Sequence, residues 1–186
     1  MWQGDETRAL ALARAALDIA AAVRARNGEI LAWNALGDAE LALGRCAAAR
    51  HAYSQASARA LEVDDAGQHD TSAGLARVAL AEGDTAAAMT AVQSVLARVA
   101  AGGTLGDTQD TRLVELTCHQ VLARAGDPRA ADWLARAHTA LMAQAEAIPD
   151  AALRQGLLQN IPHHREIVAA WAQRGAGAEG AASTAD

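Results

Sequence analysis

Apolar residues recur along most of the chain at three- and four-residue spacing, in stripes separated by short polar or glycine-containing breaks. Leu10, Ala13, Leu17, Ala20 and Ala21 form the first stripe. It predicts a helix over residues 6–26, N-capped by Asp5 and stopped at Asn27-Gly28. Further helices are predicted over 30–43 and 46–61, broken at Gly44. A polar break over 64–70 follows. Asp70 or Thr71 then caps a pair over 72–82 and 85–100, joined at Gly83-Asp84. The segment 101–110 (AGGTLGDTQD) reads as the most flexible internal stretch and as an interruption between units. Beyond it lie predicted helices over 111–125 and 128–147. Gly126-Asp127-Pro128 between them supplies a helix stop, an N-cap and a first-turn proline in succession. Two shorter helices, over 149–159 and 162–174, are expected to close the array. Residues 175–186 lack large apolar side chains and are expected to be a disordered tail. No two-residue alternation survives over a useful length, so the predicted class is all-α, built of antiparallel helical hairpins.

Composition sharpens this picture. Hydrophobic residues make up 52% of the 186, yet aromatics are 3% and Phe is absent, so alanine, the best helix former, carries much of the apolar fraction. The formal charge is −6, and the 16 basic residues are all Arg. An acidic chain without a basic run does not suit a phosphate backbone, so no nucleic acid is expected as partner. Cys46 and Cys118 are far apart and belong to no metal-binding spacing. Neither a signal peptide nor an uninterrupted apolar span occurs, because Arg14 and Asp18 break the stretch 9–23. The expectation is a soluble cytoplasmic protein with no membrane partner.

Residues 30–63 carry a denser pattern. Trp33, Leu36 and Gly37 share one helical face, and Gly37, lacking a Cβ, admits a close helix crossing. After the breaker Gly44, Ala49, Tyr53 and Ala56 recur as small, large and small on the next helix. This order of Trp, Leu-Gly, turn Gly, Ala, aromatic and Ala resembles the tetratricopeptide repeat (TPR), a helix–turn–helix unit of about 34 residues. Aligning Gly83 with Gly44 places Leu75, Ala76, Ala88 and Val92 on the positions of Leu36, Gly37, Ala49 and Tyr53, giving a second repeat over 69–100. A third, over 111–147, departs at Cys118-His119, where the pattern wants Leu-Gly. The resemblance implies a short TPR-like α-solenoid over 1–174, with 148–174 as its C-terminal cap. A weaker resemblance joins the run from Ile148-Pro149-Asp150 to Ile161-Pro162-His163-His164-Arg165 to the ends of TPR regions in large bacterial signalling ATPases, cyclase-fused and LuxR-type regulators.

Catalytic chemistry leaves no trace in the sequence. Without Lys no phosphate-loop signature is possible, no Gly-x-Ser-x-Gly occurs, and the pairs His163-His164 and Cys118-His119 are adjacent and diverge on a helix. No enzyme, cofactor or metal is expected. The TPR resemblance implies instead a groove lined by the first helix of each hairpin. Carried over by position, its peptide-binding candidates are Asn34, Asp38 and Leu41 from the first repeat, Arg77 and Leu80 from the second, and Gln120 from the third. The carboxylate clamp of chaperone-tail binders uses Lys and Asn, and here Asp38 stands in place of the Asn. The expected function is therefore a non-catalytic adaptor that holds a protein or peptide in its concave face. The alternative is a detached or truncated regulatory arm of a bacterial signalling ATPase or transcriptional regulator.

Overall fold

In the computed structural model the described residues are 3–63, 68–106 and 108–182, and all regular structure among them is α-helical. The elements are α1 (Gln3–Ala22), α2 (Arg26–Ala42), α3 (Cys46–Val63), α4 (Gln68–Ala81), α5 (Thr85–Ala100), α6 (Thr111–Arg124), α7 (Ala130–Glu146), α8 (Ala151–Asn160) and α9 (Pro162–Ala182). They divide between two compact units, Met1–Thr111 and Arg112–Asp186. In the first unit each helix packs on the next, α1 on α2 through to α4 on α5, and α2 also touches α4. In the second, α8 packs on both α7 and α9, and α7 packs on α9. Leu116 of α6 joins Leu134, Ala137, Leu141 and Ile167 in its core.

One backbone device ends five of these helices. After α2, the amide of Gly44 bonds the carbonyl of Leu41 at 2.8 Å and that of Arg45 bonds Glu40 at 2.9 Å. This paired closure satisfies the last carbonyls and needs a residue with positive φ between them. The same pair of bonds recurs at Gly83, Gly102 and Gly126, all with positive φ. It also recurs at the end of α1, where the left-handed residue is Arg24, φ 54°. The first helix therefore stops at Ala22 rather than at Asn27-Gly28. Gly28 instead lies in the first turn of α2, where a Cβ would stand 3.3 Å from that of Ala20, so its role is close packing of α1 on α2.

Other expected starts and stops shift for visible reasons. Asp84 caps α5 at the expected joint and Asp150 caps α8, accepting from the amides of Ala87 and Leu153, each at 2.9 Å. Asp70 and Thr71 are no caps, because α4 begins at Gln68. The Asp70 carboxylate turns instead to the segment after α5 and accepts from the amides of Gln109 (3.0 Å) and Asp110 (3.4 Å). That segment, expected to be the loosest, also buries Leu105 at 1% exposure and fixes its carbonyl with the hydroxyls of Thr108 and Thr111. At the C-terminus α9 continues past Arg174 to Ala182, while 183–186 lie outside the described residues, as do Trp2 and 64–67 of the polar break.

The core of the first unit is built around Tyr53, which is fully buried among Ala49, Val78, Leu41 and Leu75. Its ring lies between two glycines on different helices. A Cβ on Gly37 of α2 would come within 2.5 Å of the ring, and a Cβ on Gly74 of α4 would overlap it as well. Gly37 thus makes the close approach that the sequence indicates. The matching position on α4 is Gly74 rather than Ala76.

Buried acids supply the remaining ties. Glu29 is gripped by Arg59 (2.8 Å) and Arg26 (4.0 Å), Glu40 by Arg14 and Arg45 (both 3.2 Å), and Glu115 by Arg136 (2.7 Å) and Arg112 (3.0 Å). A carboxylate taken out of water needs such pairing, and at Glu40 the two guanidiniums bond one oxygen each.

Two outcomes follow from this packing. Gly74→Ala should lower stability by about 1–3 kcal/mol through overlap with the Tyr53 ring. In a Tyr53→Val background the same change should cost far less, so equal costs in both backgrounds, measured by urea unfolding, would sink the slot. Arg24→Gly should raise stability by about 1 kcal/mol, since a side chain is strained at positive φ. That gain corresponds to a rise of about 2–4 °C in Tm for a chain of this size, readable by thermal CD.

Candidate functional site

The residues proposed from sequence for a groove meet different fates. Asn34 is 3% exposed, and its Oδ1 accepts from the Thr71 hydroxyl at 2.9 Å, tying α2 to α4. Its side chain is committed inside the fold. Leu41 packs half-buried against the Tyr53 cluster, and Leu80 is half-buried on α4. Gln120 belongs to the second unit, where its amide donates to Glu166 of α9.

Asp38 and Arg77 do come together. The Arg77 Nη2 donates to Asp38 Oδ1 at 2.6 Å, and the Tyr53 hydroxyl donates to the same oxygen at 2.6 Å. Arg77 also donates to the Tyr53 hydroxyl at 3.2 Å, and its guanidinium lies 6.0 Å from the centre of the Tyr53 ring. Three helices therefore meet at one carboxylate. Burial pushes the Tyr53 hydroxyl well above its usual range, with Arg77 opposing that shift and Asp38 adding to it. The phenol stays protonated and serves as a donor. Arg77 keeps 20% of its side-chain surface, whereas Asp38 keeps 46%, so the carboxylate faces outward from a rigid mount.

Beside Asp38 lies an open apolar concavity of about 580 Å³ between α1 and α2. Its walls are mostly alanines, Ala9, Ala13 and Ala16 on one side and Ala35, Ala39 and Ala42 on the other, with Leu12 at the rim. Its polar lining residues are Glu6 and Asp38. This concavity has no counterpart in the sequence reading, because alanine in an alanine-rich chain carries no positional signal. Leu12 (60% exposed), Ile19 (65%) and Val23 (68%) continue the apolar surface along the outside of α1. In the second unit a hollow of about 600 Å³ between α8 and α9 is lined by Leu158, Val168, Ala169 and Ala172 together with the polar Gln159, Asn160 and Arg165.

The reactive side chains lie apart from these surfaces. Cys118 is fully buried, and desolvation, with Glu115 nearby, pushes its thiol up to about 12, which leaves no thiolate at neutral pH. His119 is fixed through Nδ1 to the carbonyl of Ala130 at 2.9 Å. His138 stacks on Trp171 at 4.5 Å, and burial lowers its pKa. Among the described residues no group of three His, Cys, Asp or Glu could hold a metal ion, and no helix is long and apolar enough to cross a membrane. In comparisons with known proteins, no family model, curated protein or solved structure matches the chain.

The three-helix cluster should behave as a unit. Tyr53→Phe removes one donor to Asp38 and should cost about 1–2 kcal/mol. Asp38→Ala should cost more, since it strips Arg77 of its carboxylate. In the double variant the costs should fall short of additivity by about 0.5–3 kcal/mol. Simple additivity in urea unfolding would show that the two bonds act independently.

Proposed function

We propose that this chain is a non-catalytic, TPR-like interaction scaffold that binds a helix or peptide of another protein on the face formed by α1, α2 and α4. One observation carries the reading: an outward-facing carboxylate, Asp38, held by Tyr53 and Arg77, stands at the side of an open apolar groove. An apolar trough with a fixed charge at its edge matches the needs of helix-in-groove recognition, where apolar anchors give affinity and a polar group fixes register. The alanine walls leave the trough wide enough for Leu- or Met-sized side chains. The helix order of the first unit and the motif at Trp33, Leu36, Gly37, Gly44 and Tyr53 support the TPR-like part of the reading. A place in the cytoplasm fits a chain whose two cysteines are free thiols.

Of the expected peptide contacts, Asp38, Leu41, Arg77 and Leu80 remain in this proposal, with Asn34 as a support behind them. The role of a regulatory arm in a bacterial signalling protein is a narrower version of the same reading and rests on the run 148–167 alone.

Affinity capture from cell extract, comparing wild type with Ala39→Trp and Asp38→Arg, tests the scaffold role. The expected outcome is a defined protein recovered by wild type and lost, by at least about tenfold, with each variant whose helical CD is intact. The same proteins recovered equally by all three would remove this face as the binding site.

A further inference from the structure

The connection after α5 is fastened at two points of different chemistry. Near its start, Leu105 is buried, and Arg98 of α5 holds the Thr104 carbonyl through Nε at 2.7 Å. The hydroxyls of Thr108 and Thr111 both donate to the Leu105 carbonyl and lie 2.8 Å apart, which closes this stretch into one turn. Its far end reaches α4 instead, through a single side chain. Asp70 Oδ2 accepts from the amide of Gln109 and Oδ1 from that of Asp110. Removing this one carboxylate would leave both amides without the bond that docks them.

Opposed forces act on the Asp70 carboxylate. The two amides favour its charge, whereas burial disfavours it, as do the carboxylates of Asp38 on α2 and of Asp110 in the connection itself. The cations of the helices around it are engaged elsewhere. Arg77 of α4 is bonded to Asp38 and Tyr53, Arg50 and Arg59 of α3 to Glu82 and Glu29, and Arg98 of α5 to Thr104. His69, beside Asp70 on α4, is itself buried. Burial is the largest of these effects, and it carries the Asp70 carboxyl above the usual aspartate range.

We infer that residues 108–110 end a proton-sensitive strap, clipped to α4 by Asp70 and held more tightly when that carboxyl carries a proton. Protonated, Asp70 no longer repels Asp38 and Asp110 and is easily buried, while its carbonyl oxygen can still accept an amide. When the strap lifts, the same carboxyl meets water and ionises near its ordinary pKa of about 3.9. A carboxyl harder to ionise docked than open favours docking below that ordinary value, and the advantage is lost as the pH rises through the docked one. The strap ends where α6 begins, at Thr111, so unclipping frees the chain just ahead of that helix.

Amide hydrogen exchange followed by NMR tests the strap, using protection factors that correct for the direct effect of pH on exchange. Between about pH 7 and about pH 4, protection of the Gln109 and Asp110 amides in wild type should rise at least about threefold. Asp70→Asn, uncharged throughout, should keep its helical CD and abolish that rise. Asp110→Asn retains the backbone amide but removes one like charge. It should shrink the rise and lower the midpoint at which the Asp70 carboxyl signal titrates. Wild-type protection that stays flat or falls towards acid, or a rise that survives Asp70→Asn, overturns the inference. A wild-type Asp70 midpoint at or below about 3.9 does the same.

Discussion

The first unit depends on the fit of one aromatic ring. Tyr53 enters a slot whose two walls are backbone, at Gly37 on one helix and Gly74 on another, and no side chain larger than hydrogen is compatible with either wall. The ring alone would fix only distance. Its hydroxyl fixes direction as well, because it must meet Asp38 and Arg77 at the rim. Apolar burial and a charge-assisted hydrogen bond are thus supplied by the same residue, one at each end. The chain holds one Tyr, so no second phenol can combine these two contributions. The neighbouring alanines follow from this: they let three helices come close enough to close on the ring.

In each unit, ion pairs as well as apolar contacts tie one helix to another. Glu29, Glu40 and Glu115 are nearly buried, and each is held by two arginines. Arginine suits this work better than lysine, since its planar fork can bond a carboxylate while its stem covers apolar surface. Alanine cores bury little area per residue, so pairing between elements has more to decide about which helix face meets which. The all-arginine composition, unremarkable as a count, becomes a packing feature once these three sites are seen.

Much of the helix layout was legible in the chain because it is written in local chemistry. Gly44, Gly83 and Gly126 mark helix ends where a positive φ is needed, and Asp84 and Asp150 mark starts where a carboxylate accepts an amide. Arg24 was illegible for the same reason. A left-handed arginine carries no compositional mark, so the sequence signals the first turn at the next glycine, Gly28, instead. Side-chain fates across non-consecutive helices were equally hidden. Nothing in the sequence pairs Asn34 with Thr71, so a residue read as a peptide contact proves to be an internal tie. Asp38 and Arg77 were found by position in a repeat, but their joint partner, Tyr53, was read only as core. The trough between α1 and α2 escaped notice because it is defined by what alanines leave empty.

The five helix endings closed by main-chain bonds have a consequence for how the chain acquires its structure. In the first unit those at Arg24, Gly44 and Gly83 lead into the next helix within a few residues, and the helices there pack on their immediate neighbours in sequence, with α2 and α4 the one step beyond. Contacts of such short range carry a small loop-closure cost, and topologies built from them fold on the microsecond-to-millisecond scale. Order along the chain is then also order in time. A hairpin can close while later residues are still being synthesised, but the slot for Tyr53 lacks its second wall until Gly74 arrives. The α2–α3 pair therefore waits, half finished, for the helix that completes it.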